Sequence, residues 1–403
     1  MTKNLTVEEA RRRMLLGVAP GPAETVALDH LAVGRVLAEP ILAVRDQPPF
    51  DASAMDGWAI RLGDPGTDGA YRRVGESAAG RAFNGAIGLG EAIRIFTGAA
   101  TPQGCTVIIQ ENATVEGELV RFSIALPDRP TNVRPRGGDF RAGAPLLAAG
   151  TRLDAWRLSL AASAGRAQAL VAPLPRVAIL STGEEIVRPG TIEPTEAQIF
   201  ESNSPALAGL IALWGGDPVL MAPERDDEAA IAAAVAGVAA DLIVTVGGAS
   251  VGDYDLVKPA LTRLGLTLAV ETIALRPGKP TWFGRLADGR AVLGLPGNPA
   301  SGLVAAELFL RPLLAAWQGA DPTLKLEPAR LASPLGVTGP REHWMRATLK
   351  VSDDATLWAA PFPDQDSSLV SVFAEADALL RRPAGGGPLG VGDLIQTLRL
   401  ERR

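Results

Sequence analysis

The chain has 403 residues, 47% hydrophobic and 21% charged, an ordinary globular balance with room for two to four domains. Its net charge of −6 excludes a surface built wholesale for nucleic acid, so any anion site must be a local basic pocket in an acidic protein. One cysteine and two histidines exclude a disulfide framework, a thiolate zinc site and a histidine-rich metal centre; a bound metal is expected on oxygen ligands, which suits Mg2+.

The charged start MTKNLTVEEARRRMLL lacks the apolar stretch of a secretory signal. No run is read as long enough to cross a bilayer, and the single Cys105 suits a reducing compartment. The expected location is cytoplasmic, with no membrane and no nucleic-acid partner. Thr6 and Glu9 have capping-box spacing ahead of Val7, Ala10, Met14 and Leu15, which predicts a helix over residues 6–18. The stretch QPPFDASAMDGWA (47–59) follows neither helical nor strand period; two prolines and a glycine make it a stiff loop carrying Asp51 and Asp56. Locally, both acids read as turn caps.

Residues 20–150 hold short apolar runs broken by Gly and Pro (Ala38–Val44, Ala92–Phe96, Val107–Gln110, Val120–Ala125), a pattern of many short strands. A helix is expected over 154–165, capped by Asp154. From 175 to 318 the texture changes to β runs alternating with helices. Strand-like Val177–Leu180, Val219–Ala222, Leu242–Val246, Leu268–Leu275 and Ala291–Leu295 are separated by helical Asn203–Trp214, Asp227–Ala240 and Asp253–Leu264, with Pro299–Trp317 following. Ser204–Pro205 is read as the opening of the first helix, and Pro259 is tolerable only in a first turn. Strand–helix alternation predicts a parallel α/β sheet covered on both faces. Residues 319–335 read as a linker. The tail returns to short alternating segments, Met345–Val351, Ala378–Arg382 and Leu394–Leu398, which suggest a small all-β module. No internal repeat is present.

Three α/β strands end in polar, glycine-bearing loops: Ser181–Glu185, Gly247–Asp253 and Pro296–Ser301. Ligands of open parallel sheets lie beyond the strand carboxyl ends, and glycines with free helix-start N–H groups favour an anion. One such loop would be an ordinary turn; three predict a pocket for a phosphate-bearing ligand. It is no standard nucleotide cradle, because the chain has no P-loop motif and GGASVG breaks G-x-G-x-x-G at Ala249. LRPGKP holds Arg276 and Lys279 on a rigid turn, where a lysine suits a small oxyanion or simply faces solvent. Asp253 reads as a cap, and Asp255 as a cap or a metal ligand at the pocket mouth. Asp227 is favoured as a cap with the same second possibility; of Glu184 and Glu185, one would cap and one face the pocket. Arg346, Ser367, Ser368 and the RPRGGDFRAG turn (134–143) read locally as plain surface chemistry.

Taken together, PPFDASAMDGWA, TGAATPQG, RGGDFRAG, STGEE, SNSPALAGL, GGASVGDYD, RPGKP and GLPGNPASGLVAAELF occur in an order that resembles the molybdopterin molybdenumtransferases, or molybdenum insertases. This family includes the C-terminal part of gephyrin. The resemblance spans essentially the whole chain. It implies an elongated N-terminal region with an inserted β-domain (1–170), a central α/β pterin-binding domain (175–318) and a C-terminal β-barrel-like domain (325–403). It also implies a homodimer whose site combines the central domain with the partner's N-terminal loops. The implied reaction takes adenylylated molybdopterin, Mg2+ and molybdate, cleaves the pyrophosphate bond, releases AMP and places molybdenum on the dithiolene. The implied protein partners are the molybdopterin adenylyltransferase and acceptor molybdoenzymes.

Carried over by motif, Asp255 and Ser250 would act at the pyrophosphate and metal, with Asp227 a further metal candidate. Asp56, Thr97, Asp139 and Glu185 would line the site. Ser181, Thr182, Gly247, Gly248, Pro296, Gly297, Asn298 and Pro299 would cradle the pterin substrate. Arg276, Lys279 and Ser301 would hold molybdate, completed by Arg346 and Ser367 from the tail. The chain departs from the family in four places: Trp58 where Tyr is usual, GGASVG for GGVSVG, RPGKP for KPGKP, and RGGD where a second acid is common. The choice between molybdate and tungstate stays open. A non-catalytic pterin-binding scaffold is the alternative reading; the single-domain adenylyltransferase is disfavoured by the long flanking regions.

Overall fold

The computed structural model describes residues 2–190, 195–247 and 256–401. The first helix runs Val7–Leu15 and buries Val7, Ala10 and Met14. Thr6 Oγ1 accepts from the Glu9 N–H, but the Glu9 carboxylate turns to Arg12 and Arg13, so only half of the expected capping box forms. The helix packs into the core of the central region, and Leu5 bridges to Ile273.

The N-terminal region leaves that core and returns to it. Its outgoing strand Glu24–Ala27 pairs antiparallel with the returning Gln168–Val171. Between them stands a six-stranded sheet in the order Cys105–Ile109, Gly57–Arg61, Glu91–Ile95, Ala70–Ser77, Leu119–Phe122, Ala113–Glu116. The expected helix forms over Ala155–Ser163, with the Asp154 side chain accepting from Arg157 N.

The central sheet is parallel over Asp217–Leu220, Arg176–Ser181, Leu242–Val246 and Ala291–Leu295. Trp282–Arg285 and Thr267–Val270 then extend it as an antiparallel edge. Alternate residues of one strand sort to opposite cores: Val177 and Ile179 meet the helix Asn203–Leu213, while Ala178 and Leu180 meet Glu228–Gly237 and Val257–Thr262. Coverage on both faces explains why these strands are continuous apolar runs.

Local details refine the helix ends. Asn203–Leu213 starts one residue before Ser204, so Ser204 lies inside its first turn rather than capping it. Asp227 caps Glu228–Gly237 by accepting from Ala230 N at 2.7 Å. Pro259 is the third residue of Val257–Thr262, where no helical N–H is needed. The start of the expected Asp253–Leu264 helix lies outside the described residues.

Pro299–Trp317 is continuous but passes through a π turn at Ala306–Leu310, just before Pro312. Pro312 has no N–H for the Leu308 carbonyl, and Arg11 Nε donates to that oxygen at 3.1 Å. Contrary to the expectation that no run reaches spanning length, these 19 residues have the length and hydropathy of a membrane span. Most of this helix is buried inside the protein, 78% of an 18-residue window within it, which accounts for a helix apolar all round.

In the tail, Glu342–Val351, Leu357–Pro361, Leu326–Leu331, Leu394–Arg399 and Ala378–Arg382 close into a five-stranded barrel, the last strand pairing back to the first. The expected linker is therefore shorter than 319–335, because Leu326 already begins a barrel strand. Leu275–Arg276 adds parallel to Glu342–His343, which fastens the barrel to the central region.

Candidate active site

The carboxyl ends of three central strands open into one cavity of about 600 Å³. Eight residues anticipated from the sequence line it: Ser181, Thr182, Glu185, Gly247, Pro296, Gly297, Asn298 and Pro299. Gly247 has φ +95°, and a Cβ there would stand 2.6 Å from the Thr182 carbonyl oxygen. A Cβ on Gly297 would stand 3.5 Å from Gly247 Cα, so two glycine loops meet backbone to backbone. Glycine here brings main chain against main chain as well as against a ligand.

The segment Phe200–Asn203 supplies the wall that local reading assigned no role. Glu201 accepts from the hydroxyls of Ser181 and Ser204, which are themselves 2.8 Å apart. Asn203 Nδ2 donates to Gly297 O at 2.7 Å, tying this wall to the third loop. The Asn203 Oδ1 and Thr182 Oγ1 atoms are buried without a hydrogen-bond partner, an arrangement that a polar ligand relieves. Ile186, Ile199, Phe200 and Val370 add apolar surface. The polar cluster ESNS at the helix start was the available signal for this wall. The first loop leads into the short pair Ile186–Val187 and Ile199–Phe200, not directly into a helix.

Of the neighbouring carboxylates Glu184, Glu185 and Asp226, Glu185 lines the cavity. Burial raises the Asp226 carboxyl above its ordinary range, and Glu185 and Glu184 raise it further by repulsion. Among the described residues no group of three His, Cys, Asp or Glu forms a metal cage. Gly248, Ser250 and Asp255, with Asp253, lie outside the described residues. Asp227 does not line the cavity; its carboxylate serves the helix cap.

The oxyanion candidates divide. Ser301 is buried in the helix start beside Gly278, while Lys279 is exposed on its turn. Ser367 stays beside the third loop: its hydroxyl meets Asn298 Nδ2 at 3.0 Å and its carbonyl accepts from Ala300 N at 2.9 Å. Its neighbour Ser368 is the one that lines the cavity. Arg276 lines a different cavity. Arg346 is wholly buried, donates to the carbonyls of Gln365 and Asp366, and lies over the Phe373 ring. The surface reading of Arg346 is corrected: it is buried and holds the loop that carries Ser367 and Ser368.

Asp56, Thr97 and Asp139 lie in the N-terminal region and do not line this chain's cavity. Thr97 donates its N–H at 2.7 Å and its hydroxyl at 2.8 Å to Asp56 Oδ1, which lowers the Asp56 pKa, the backbone bond contributing most. The Asp139 N–H donates to Gln47 O, Gly137 N to Pro48 O, and Arg136 N to Asp51 Oδ1. QPPFD is thus laced to RPRGGDFRAG, a partnership that replaces the reading of the latter as a plain solvated turn.

Residues 5–165 match the MoeA N-terminal region (domain I and II), 178–316 a probable molybdopterin binding domain, and 328–400 the MoeA C-terminal region (domain IV). A Nostoc protein named molybdopterin molybdenumtransferase is 33% identical over 92% of this chain and 87% of its own length. A Haemophilus influenzae protein of the same name is 32% identical over 97% of each. The Mycobacterium tuberculosis molybdopterin molybdenumtransferase 2 is 38% identical over 90% of this chain and 93% of its own. The crystal structure of the molybdopterin biosynthesis moeA protein from Pyrococcus horikoshii OT3 superposes with TM-score 0.83 at 25% identity, covering 99% of this chain and 100% of that one.

Proposed function

The chain belongs to the molybdopterin molybdenumtransferase family and acts in molybdenum cofactor biosynthesis; from that premise we propose that it transfers molybdenum from molybdate to adenylylated molybdopterin, with release of AMP. The observation that carries this reading is the meeting of three strand-end loops and Ser368 at one cavity of about 600 Å³. That volume falls in the range of about 300–1,000 Å³ used by small-molecule sites. Ile186, Ile199 and Phe200 give a flat ring an apolar wall. Thr182 Oγ1 and Asn203 Oδ1 await polar partners, and Glu201 fixes the Ser181 hydroxyl.

Cleaving a phosphoanhydride mainly requires positioning and charge neutralisation. Glu185 and Asp226, whose mutual repulsion a cation relieves, would hold Mg2+ together with Asp255. Bound there, the ion would neutralise charge on the anhydride oxygens. Ser250 would orient the pyrophosphate. Lys279 and Ser301, with Arg276 at the edge, would receive molybdate, and Ser367 would keep the Asn298 loop in place.

Asp56, Thr97 and Asp139 would serve the cavity of a second copy. Their rigid anchoring and the exposure of Phe50 and Met55 beside Asp56 support that reading. The supplier of adenylylated substrate and the acceptor molybdoenzyme are its implied protein partners.

The test is incubation with adenylylated molybdopterin, Mg2+ and molybdate. Molybdate-dependent AMP is expected, and Asp255→Asn is expected to abolish it without altering the mass in solution. Pterin binding without AMP release would return the scaffold reading.

A further inference from the structure

We infer that Gln365 is a positioning residue for the central cavity: its side-chain amide takes the place of a missing strand and sets the barrel loop that brings Ser368 to the ligand. The inference rests on the proposed function only for the identity of that ligand. The strand Glu342–Val351 pairs with Leu357–Pro361 as far as Ala347 opposite Pro361, and there the partner ends. Arg346, the next residue, still needs partners for its N–H and carbonyl on that edge. Gln365 supplies both: Oε1 accepts from Arg346 N at 2.9 Å, and Nε2 donates to Arg346 O at 2.9 Å. These are the two bonds that a residue of a neighbouring antiparallel strand would exchange. Nε2 also donates to Phe362 O at 2.9 Å, and Phe362 N adds a bond to Arg346 O at 3.1 Å. The opposite flip of the amide would set donor against donor, so its orientation is fixed by these contacts.

The clasp is reciprocal. The Gln365 side chain holds the Arg346 backbone, and the Arg346 side chain holds the Gln365 and Asp366 carbonyls at 3.4 and 2.9 Å. Beyond it the chain folds as two linked Asx turns. Asp364 Oδ1 accepts from Asp366 N at 2.8 Å, and Asp366 Oδ1 accepts from Ser368 N at 2.8 Å and from Ser368 Oγ at 2.6 Å. Ser367, between them, fastens the loop to Asn298 and Ala300 of the central region. Ser368 and Val370 reach the cavity lining, whereas Gln365 does not. Gln365 therefore acts on the cavity only through the loop it sets.

What the loop presents follows from a proton count. The Ser368 hydroxyl has one proton and gives it to Asp366, so its oxygen meets the cavity as an acceptor. The Ser368 hydroxyl first, and then its N–H, hold the Asp366 carboxyl below its ordinary range, so Asp366 remains the acceptor of that proton at neutral pH. An acceptor backed by a carboxylate does not favour a phosphate or another oxyanion. It reads an N–H or O–H group. The loop therefore addresses a donor on the rings of the adenylylated pterin rather than its phosphates.

Hydrogen-exchange protection in the full-length protein tests the positioning. Gln365→Ala is expected to lower protection of the Ser368 and Ala300 amides about tenfold while the Leu394–Arg399 amides keep theirs. Gln365→Glu keeps the acceptor for Arg346 N but turns an oxygen on Arg346 O. It should match Gln365→Ala at about pH 8 and regain protection toward about pH 5, as the carboxyl takes up a proton and recovers a donor. The apparent Kd of adenylylated molybdopterin, measured without molybdate, tests the link to the ligand. Ser368→Ala and Gln365→Ala should each weaken it about tenfold, and the double variant no further, because both remove one contact. Additive losses in the double variant overturn the inference. So do unchanged protection at Ser368 and Ala300, loss of protection across the whole barrel, or no recovery of Gln365→Glu as pH falls. A wild-type chain that binds no pterin refutes the proposed function instead, and exchange still decides whether Gln365 sets the loop.

Discussion

Replacing Gly247 by alanine tests whether the cavity floor depends on backbone meeting backbone. At φ +95°, a Cβ would lie 2.6 Å from the Thr182 carbonyl oxygen and 3.2 Å from its Oγ1. Ordinary contact begins at 3.4 Å, so the Thr182 peptide must retreat by about 0.8 Å. That peptide's N–H, on Gly183, donates to Glu224 O at 3.4 Å, and the preceding N–H, on Thr182, donates to Val246 O at 3.0 Å. The positive φ costs alanine about 1–2 kcal/mol, and forced repacking about 1–3 kcal/mol more. Gly247→Ala should therefore destabilise the central region by about 2–5 kcal/mol. Gly297→Ala is the control: its Cβ meets Gly247 Cα at 3.5 Å without a left-handed φ, and a change within about 0.5 kcal/mol is expected. Urea unfolding gives the difference, and hydrogen exchange of the Leu242–Val246 amides localises it. If Gly247→Ala unfolds at the wild-type midpoint with unchanged exchange in that strand, the steric reasoning is refuted.

Lys279→Ala should raise the molybdate concentration for half-maximal AMP release about tenfold while leaving pterin affinity within about twofold; equal loss of both would remove the oxyanion role. Arg346→Ala strips the donors from the Gln365 and Asp366 carbonyls and should cost about 2–4 kcal/mol in barrel stability. Full stability with a lost molybdate response would instead mark Arg346 as a direct ligand. The His343 pKa lies near 4 in the folded chain against an ordinary 6.5, so the unfolded chain binds the extra proton first. Stability from this group is present above about pH 6.5 and declines as pH falls toward 4. His343→Gln should flatten that part of a Tm–pH profile, and an unchanged acid slope would count against the assignment.

Much of the site was legible because its chemistry lies in contiguous motifs. STGEE, the glycine of GGASVG and PGNPAS each end a buried strand, and parallel pairing carries those ends to one edge of a sheet. The apolar runs and the Asp154 and Asp227 caps were equally readable, since period and capping are local properties. Glu201 was not, because its partner Ser181 is brought to it only by the folding of the loop between them. Arg346 was misread for a related reason: a strand arginine looks solvated until the barrel closes around it and two carbonyls take its charge.

By itself, the sequence determined the family and the ends of the three strands that open into the cavity, whereas the expected Val219–Ala222 and Leu268–Leu275 runs form as Asp217–Leu220 and Thr267–Val270. The family and those three ends follow from short-range patterning and from motifs whose order admits few alternatives. Only the tertiary structure decided that QPPFD is laced to RPRGGDFRAG, that Glu201 meets Ser181, and that Arg276 faces a basic seam with Arg341 and Arg382. Each of those outcomes depends on which residues from distant segments share one small volume. A one-dimensional chain carries that information only through the packing that closes it.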